Sequence, residues 1–328
     1  MPNSIDIKEN DILERSPELL DILLIDRTTN KPIFWATDNY EDAYGENYAF
    51  SKPILKELIT GVNGNIIVPR AAKSKEQQEK RSRDMAEVFT PSWVCNKQNN
   101  LVDEAWFGRK DVFNIEIDFD NGHIWETNKE KIVFPEGKTW KDYVRDTRLE
   151  MSCGEAPYIA SRYDTTTGEY IEVNERIGIL DRKLRVVSEN TDNTTDWLLS
   201  AREAYENVYG FEWQGDNLII ARETLLYTLL DFFHAKFGKE PILRSIITIA
   251  EIISWNFWQM DGLRLVVPNS CDNVYQKQLF GDPIKCVCPA CKKDERKGHI
   301  GIPCKITDWR KPKDDPKRII TFASLVKD

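Results

Sequence analysis

Two stretches of the chain place short apolar runs next to acidic residues, a pattern that predicts strand–turn–helix units. In residues 148–158 such a run leads into the small-residue turn Ser152-Cys153-Gly154 and then into a candidate helix. Residues 209–212 end at Glu212, and beyond it apolar positions recur at helical spacing over residues 217–226. Two consecutive units of this kind form half of a doubly wound nucleotide site, in which the ligand lies beyond the carboxyl ends of the strands.

The pattern of the remaining positions divides the chain into three regions. Residues 1–80 read as a small α+β region, with a helix that starts at Pro17 and a hairpin of strands 21–26 and 33–37. Residues 81–265 form the cofactor-binding region, with an insertion at about 108–147 that carries short strands, and residues 266–328 form a less regular, cysteine-rich tail. Helices are expected over residues 74–87, 92–103, 177–207 with a break near 190–195, 215–237 and 242–257.

The first turn decides which nucleoside-bearing ligand fits. A dinucleotide fingerprint needs three glycines so that the backbone can approach a pyrophosphate, but Gly154 stands alone and Glu155 would repel phosphate. A Walker loop is also absent, because no glycine run is followed by Gly-Lys-Ser or Gly-Lys-Thr. The remaining ligand contains adenosine without phosphate, and S-adenosylmethionine fits that description.

Four motifs in this chain resemble those of the adenine-N6 DNA methyltransferases of restriction–modification systems, in the order used by that family. The stretch similar to their Asp-Pro-x-Cys-Gly-x-Gly motif is Glu150-Met151-Ser152-Cys153-Gly154-Glu155-Ala156. Glu87-Val88-Phe89-Thr90-Pro91 resembles their Phe-Thr-Pro motif, and Tyr209-Gly210-Phe211-Glu212 resembles their acidic strand end. The later Asn-Ile…Asp-x-Leu element is similar to Asn256-Phe257-Trp258-Gln259-Met260-Asp261-Gly262-Leu263. Together the motifs cover about half of the chain, which as a whole looks like the short bacterial proteins labelled "restriction endonuclease subunit M".

The resemblance implies an α/β protein with the Rossmann-like fold of class I S-adenosylmethionine-dependent methyltransferases. It also implies a cofactor site that is carried by the matching positions of this chain. The predicted cofactor-binding residues are Phe89, Thr90, Pro91, Glu150, Cys153, Gly154, Glu212, Trp213 and Asp261. Among these, Cys153 is expected to pack beneath the turn as a small core residue.

The resemblance further implies a role for each part of this set. Phe89 would pack near the methionine end of the cofactor, and the turn at residues 150–154 would lie beneath it. Glu212 would accept hydrogen bonds from the ribose, because an ionised carboxylate is an acceptor and a diol offers two donors. Trp213 would stack on the adenine ring, and Asp261 would accept a hydrogen bond from the adenine amino group.

Two departures from the family pattern leave the activity open. Ala156 replaces the second glycine of the turn, and no Pro-Pro pair occurs in the chain, so the catalytic Asn-Pro-Pro-Tyr signature is missing and the catalytic residues are unknown. The first interpretation is an adenine-N6 DNA methyltransferase or modification subunit. The second is a non-catalytic S-adenosylmethionine-binding subunit of a restriction or phage-defence complex, and a third is a methyltransferase that acts on protein or RNA.

A second candidate site lies in the cysteine-rich tail. A Cys-x-x-Cys pair followed by further cysteine and histidine is the spacing of a structural zinc site, which needs four soft ligands. The predicted ligands are Cys288, Cys291 and Cys304 with either Cys286 or His299. A zinc deaminase is disfavoured, because its His-x-Glu motif is missing.

Composition limits the partners that the chain is expected to have. The net charge of −9 is unusual for a stand-alone DNA binder, so DNA contact is expected through a partner subunit or through local basic clusters. The basic clusters lie at residues 73–83 and 310–318, and both could equally be solvated surface. No apolar run reaches transmembrane length and no signal peptide is recognisable, so we expect a cytoplasmic protein without a membrane partner.

Overall fold

The N-terminal region is mainly helical and contains one small hairpin. The structure is a computed structural model that describes residues 5–85, 87–119, 122–272, 275–276, 284–295 and 298–326. Helix α1 spans Glu9–Arg15 and α2 spans Pro17–Leu24. Strands β1 (Ile25–Asp26) and β2 (Lys31–Pro32) pair in antiparallel register.

The prediction of a strand over residues 21–26 is wrong for most of its length. Leu19, Leu20, Leu23 and Leu24 are all buried on α2, and their spacing is helical, so residues 21–24 continue the helix that Pro17 begins. The predicted hairpin is retained in shortened form, and its second strand lies at Lys31–Pro32 instead of residues 33–37.

Two short helices follow the hairpin, α3 (Glu41–Tyr44) and α4 (Lys56–Ile59). Two longer helices come next, α5 (Lys75–Met85) and α6 (Ser92–Phe107). Helix α6 starts one residue after its cap, which is Pro91. It ends at Gly108, whose left-handed φ of 69° suits a glycine C-cap.

The insertion that the sequence places at residues 108–147 contains one hairpin and one short helix. Strands β3 (Asn114–Phe119) and β4 (Gly122–Thr127) are antiparallel, and Ile117 pairs with Ile124 across them. Helix α7 (Trp140–Val144) begins with a capping box between Thr139 and Asp142.

A three-stranded parallel sheet positions the candidate site. Its strands are β5 (Arg148–Met151), β6 (Val208–Glu212) and β7 (Phe257–Gln259), in the order β5-β6-β7. Four helices connect them, at the places where apolar spacing predicts helices: α8 (Ile179–Asn190), α9 (Thr194–Glu206), α10 (Gly215–Phe237) and α11 (Leu243–Asn256). In register, Glu150 lies beside Gly210 and Glu212 lies beside Gln259.

Helix α2 of the N-terminal region and the parallel sheet share one hydrophobic core. That core includes Leu19 and Leu23 of α2 together with Leu225 of α10 and Ile253 of α11. A fully buried guanidinium, that of Arg222, connects the two parts. Its nitrogens donate to the carbonyl oxygens of Leu23 (2.6 Å), Ile25 (3.0 Å) and Phe257 (2.6 and 2.9 Å).

The C-terminal tail covers the other side of the sheet. Phe211 and Trp258 pack with Cys304 and Ile306 in a second apolar cluster. The tail elements are β8 (Tyr275–Gln276), β9 (Ile284–Lys285), α12 (Pro289–Lys293), β10 (Lys305–Thr307) and β11 (Ile319–Thr321). Strand β10 pairs with β11 in antiparallel register.

The structure is therefore a mixed α/β fold built around small sheets. Within the described residues, the sheet β5-β6-β7 has three strands and the other sheets have two. None of the described helices combines the length and the apolar character needed to cross a membrane.

Candidate functional site

A cavity of about 850 Å³ opens at the carboxyl ends of β5 and β6. The carboxyl ends of parallel strands meet at one edge of a sheet, so residues that follow β5 and β6 come together although they are far apart in the chain. The lining includes the following predicted cofactor residues: Phe89, Thr90, Glu150, Cys153, Gly154, Glu212 and Trp213. Phe50, Tyr158 and Asn217 also line it, and no local sequence signal marks them.

The turn after β5 has an unusual backbone. Ser152, Gly154 and Ala156 have left-handed φ angles of 52°, 55° and 60°. Glycine adopts this conformation without steric cost, whereas non-glycine residues are strained in it and concentrate at functional sites. Ala156 is therefore strained in this conformation. The motif that this stretch resembles has a glycine at the same position, and glycine would adopt it without strain. A Cβ on Gly154 would lie 3.6 Å from the Phe89 ring, which shows how closely that ring approaches the turn.

Glu212 joins the two strand ends. Its Oε2 accepts a hydrogen bond from the Gly154 amide at 2.8 Å, and its Oε1 accepts one from the Gln214 amide at 3.1 Å. Burial raises the pKa of Glu212, and these backbone amides oppose that effect. A carboxylate has about four lone-pair sites, so each oxygen keeps acceptor capacity for a ligand.

Glu150 contributes an unsatisfied acceptor to the same cavity. Its Oε2 is shielded from solvent and has no hydrogen-bond partner. Burial raises its pKa well above the usual range; the Tyr158 and Ile159 amides oppose this, whereas the charge of Glu212 adds to it. A ligand group that donates a hydrogen bond, above all a cationic one, would satisfy this oxygen.

The sequence suggests that Glu155 would repel a phosphate in this cavity, but the structure places other acidic residues in the lining. Glu155 is buried and does not line the cavity, because its carboxylate accepts hydrogen bonds from the Arg70 amide (2.6 Å) and the Tyr163 hydroxyl (2.7 Å). Instead, the ionisable lining residues are Asp84, Glu87, Glu150, Glu212 and Arg83. Glu87 is paired with Arg81, and the one basic lining residue, Arg83, is paired with Asp84 at 2.8 Å, so the lining offers no unpaired base to a phosphate.

The wall formed by α5 is fixed by a buried ion network. Arg81 donates to Glu87 Oε2 and to Asp216 Oδ2, both at 2.7 Å, and further to the side chains of Gln214 and Asn217. This network connects α5 to the start of α10. Of the basic cluster at residues 73–83, Lys73 and Arg81 are buried in this region, whereas Lys75, Lys80 and Arg83 are exposed.

Two predicted cofactor residues lie outside the cavity lining. Pro91 is the residue before α6. Asp261 follows β7, and its Oδ1 accepts hydrogen bonds from the Leu263 and Arg264 amides, both at 3.0 Å. That arrangement is a turn built by an aspartate on its own backbone.

A second site gathers four potential metal ligands in the tail. One ligand atom from each of Cys271, Cys288, Cys291 and His299 lies within 4.8 Å of the others, and this group is placed to bind a metal such as zinc. The Nδ1 atom of His299 is 3.5 Å from Cys288 Sγ and 3.3 Å from Cys291 Sγ. Its Nε2 is 2.7 Å from the Glu295 carbonyl oxygen, an acceptor that holds the proton on Nε2 and leaves Nδ1 for a metal.

The ligand set differs from the one that the spacing predicts. Cys304 lies outside the group, in the apolar cluster with Phe211, and its Sγ is 3.5 Å from the Gln259 carbonyl oxygen. Of the two alternatives Cys286 and His299, the structure places His299 in the group. Cys271 takes the place of Cys304. It precedes the Cys-x-x-Cys pair Cys288–Cys291 as a single cysteine, so the spacing does not single it out.

The chain was compared with protein-family models, curated protein sequences and solved structures, and no match was found. The assignment of function therefore depends on the geometry of the two sites. Of these, the cavity at the sheet edge has the shape and chemistry of a small-molecule site, since such sites range over roughly 300–1,000 Å³.

Proposed function

We propose that this chain binds S-adenosylmethionine in the cavity at the carboxyl ends of β5 and β6. The observation that carries the proposal is that one cavity gathers residues from three separate motifs, at Phe89, Gly154 and Glu212. Each of the three motifs is predicted from the sequence alone to bind the cofactor, and they lie far apart along the chain.

The charge of the cavity supports this ligand over a nucleotide. S-adenosylmethionine carries an ammonium and a sulfonium and has no phosphate. Of the acidic lining residues, Asp84 and Glu87 are paired with arginines, whereas Glu150 and Glu212 keep acceptor capacity for the two cationic groups. A di- or triphosphate would find no unpaired base in the lining and would lie beside these carboxyl groups.

The free hydrogen-bonding capacity supports an orientation for the ligand. Glu212 keeps lone pairs for the ribose hydroxyls, and Trp213 follows it in the cavity lining as an aromatic surface for adenine. Glu150 Oε2, which has no partner, suits the ammonium of the methionine part. In this orientation Phe89 lies above the turn at Gly154, near the methionine end.

We further propose adenine-N6 DNA methylation as the reaction of this site. The exocyclic amine attacks the sulfonium methyl carbon directly, the C–S bond breaks, and the amine then loses a proton to water. The protein contributes alignment and exclusion of water, so the step needs no strong base. The family resemblance is the basis for the acceptor, and the second basic cluster, with the exposed Lys313 and Lys317 in the loop between β10 and β11, would contact DNA.

A non-catalytic cofactor-binding subunit is the alternative. The absence of Pro-Pro from the sequence favours it, because no clamp for an extruded adenine is recognisable. In that case a partner subunit would provide the clamp.

An assay of methyl transfer distinguishes the methyltransferase from the non-catalytic subunit. The purified chain is incubated with S-adenosylmethionine labelled on its methyl group and with double-stranded DNA of random sequence. Label in N6-methyladenine supports the enzyme. Saturable cofactor binding without transfer to DNA, RNA or protein supports the subunit, and transfer to RNA or protein alone would contradict both.

For the tail we propose a structural zinc site. The four side chains at Cys271, Cys288, Cys291 and His299 complete a tetrahedral set and leave no open position, as in structural sites. The metal would connect the loop after β7 to α12.

A further inference from the structure

A second cavity, of about 1000 Å³, lies between the β3–β4 hairpin and helices α8 and α10. None of its lining residues belongs to the cofactor cavity. Its lining combines charged residues with an apolar set: Ile117, Ile124 and Trp125 come from the hairpin, Val173 from the loop before α8, and Phe232 from α10. The Trp125 indole nitrogen donates to the Glu175 carbonyl oxygen at 2.9 Å, which fixes the ring at the cavity wall.

Two buried polar atoms at this cavity have no partner. Arg176 and Asp181 both line it, and Arg176 Nη1 and Asp181 Oδ1 are shielded from solvent without a hydrogen bond. A buried polar atom that stays unpaired loses its hydrogen bonds to water without compensation. Native proteins satisfy nearly all such atoms, so this pair calls for a partner.

The other polar atoms of these two residues are already engaged, which fixes the side chains. Arg176 Nη2 donates to Asp231 Oδ2 at 2.7 Å, and its Nε donates to the Ile171 carbonyl oxygen at 3.2 Å. Asp181 Oδ2 accepts from the Ser161 amide at 2.7 Å and from the Gly178 amide at 3.1 Å. One guanidinium nitrogen of Arg176 and one carboxylate oxygen of Asp181 thus remain without a partner, and the other contacts hold both in place.

The charge of the lining favours a neutral ligand. The basic residues are Lys129, Arg176, Arg185 and Lys236, and the acidic ones are Glu126, Glu172, Glu175, Asp181 and Glu189. Three of the bases are engaged with the protein: Arg176 with Asp231, Arg185 with the Asn128 carbonyl oxygen at 2.5 Å, and Lys236 with the Ser188 carbonyl oxygen at 2.8 Å. An anion would find no excess of free positive charge.

We propose that this cavity is a binding site for a neutral, flat heteroaromatic molecule whose edge carries a hydrogen-bond acceptor next to an amino or amide donor. The acceptor takes the Arg176 Nη1 hydrogen, and the donor is bound by Asp181 Oδ1. The ring packs on Trp125, Ile117 and Ile124. Free nucleobases with an exocyclic amine and aromatic carboxamides have this edge.

Calorimetric titration of the full chain with adenine, cytosine and nicotinamide tests the proposal. We expect saturable binding of at least one of them. Because adenine is also part of S-adenosylmethionine, the titration is repeated with saturating S-adenosylmethionine, which should leave binding at this second cavity unchanged. Displacement of the probe by S-adenosylmethionine would assign it to the first cavity and overturn the proposal, as would no binding of any of the three.

Three variants locate the site. Asp181→Asn removes the free acceptor Oδ1, because the amide nitrogen takes its place or the side chain shifts. We expect this variant to bind the probe at least tenfold more weakly. Ala235→Trp fills the cavity from an exposed position on α10 without touching a polar contact, so it tests the site even if Asp181→Asn fails to fold. Glu126→Gln makes the same acid-to-amide change at an exposed lining residue and should bind normally. Normal binding by Ala235→Trp would overturn the proposal.

Discussion

The Glu212 carboxylate accepts a hydrogen bond from the backbone amide of Gly154, with Oε2 2.8 Å from the nitrogen. This bond ties the acidic end of β6 to the turn after β5, although 58 positions separate the two residues. It also orients the carboxylate within the cavity lining. The two motifs that predict a cofactor site from the sequence are thus parts of one hydrogen-bonded structure.

Replacement of Glu212 should weaken cofactor binding. Glu212→Ala removes the proposed ribose acceptor, and we expect a loss of about 1.5–3 kcal/mol in S-adenosylmethionine binding, the usual worth of hydrogen bonds to charged groups. Asp261→Asn is the matched control, because Asp261 lies outside the lining. If Asp261→Asn weakens binding and Glu212→Ala does not, the position of the ligand is wrong.

Metal content should depend on Cys271 and not on Cys304. Cys271→Ser removes one of the four grouped ligands, so the purified variant should lose an equimolar metal that the unaltered chain carries. Cys304→Ser and Cys286→Ser should keep it. Elemental analysis by mass spectrometry measures this, and wild-type protein without metal would refute the site.

Gly215 should not tolerate a side chain. Its amide donates to the Trp35 carbonyl oxygen at 2.9 Å, and an added Cβ would lie 2.2 Å from the Phe34 carbonyl oxygen. We expect Gly215→Ala to destabilise the protein by about 1–3 kcal/mol or more in urea unfolding, as overpacking does. Gly238→Ala, in open space at a φ of 66°, should cost only about 1–2 kcal/mol from left-handed strain. Unchanged stability of Gly215→Ala would show that α10 does not start against Phe34.

Two buried acids should make stability fall as pH rises. Glu9 and Glu223 have oxygens without partners; burial raises the pKa of Glu9 to about 8 and that of Glu223 well above its usual range. The charge of Asp6 raises the pKa of both carboxyls, the charge of Glu9 also raises the pKa of Glu223, and Lys8 opposes these effects. Because the folded pKa exceeds the unfolded value of about 4.3, this stabilisation is complete below that pH and is lost as pH rises through about 8.

Glu9→Gln tests this linkage. The free energy of unfolding should decline less steeply between pH 5 and pH 8 in the variant, by up to about 1.4 kcal/mol per pH unit for one proton. Urea unfolding at several pH values gives the slopes. Equal slopes for the variant and the unaltered chain would mean that Glu9 is charged in the folded protein.

The sequence predicts the elements that have a strong local signal. Apolar spacing locates α8 to α11, and the acidic motifs locate the end of β5, one residue after Glu150, and the end of β6 at Glu212. Parallel strands bring these carboxyl ends together. The strand predicted over residues 21–26 fails because a short apolar run fits both periods, and the tertiary packing of α2 on α11 decides for helix.

Two predicted site residues, Asp261 and Cys304, lie outside the two candidate sites for a different reason. Asp261 and Cys304 match a pattern, but their surroundings direct them into a turn and into an apolar cluster. Phe50 and Cys271 reach their sites through contacts distant in sequence, which no local pattern encodes. The orphaned oxygen of Glu150 is likewise visible only in three dimensions.

The most direct test of the central proposal is a calorimetric titration of the purified chain with S-adenosylmethionine, with ATP titrated in parallel. We expect saturable, equimolar binding of S-adenosylmethionine and much weaker or no binding of ATP, because the lining offers no unpaired base to a phosphate. A folded protein that binds no S-adenosylmethionine, or that binds ATP more tightly, would contradict the proposed cofactor site.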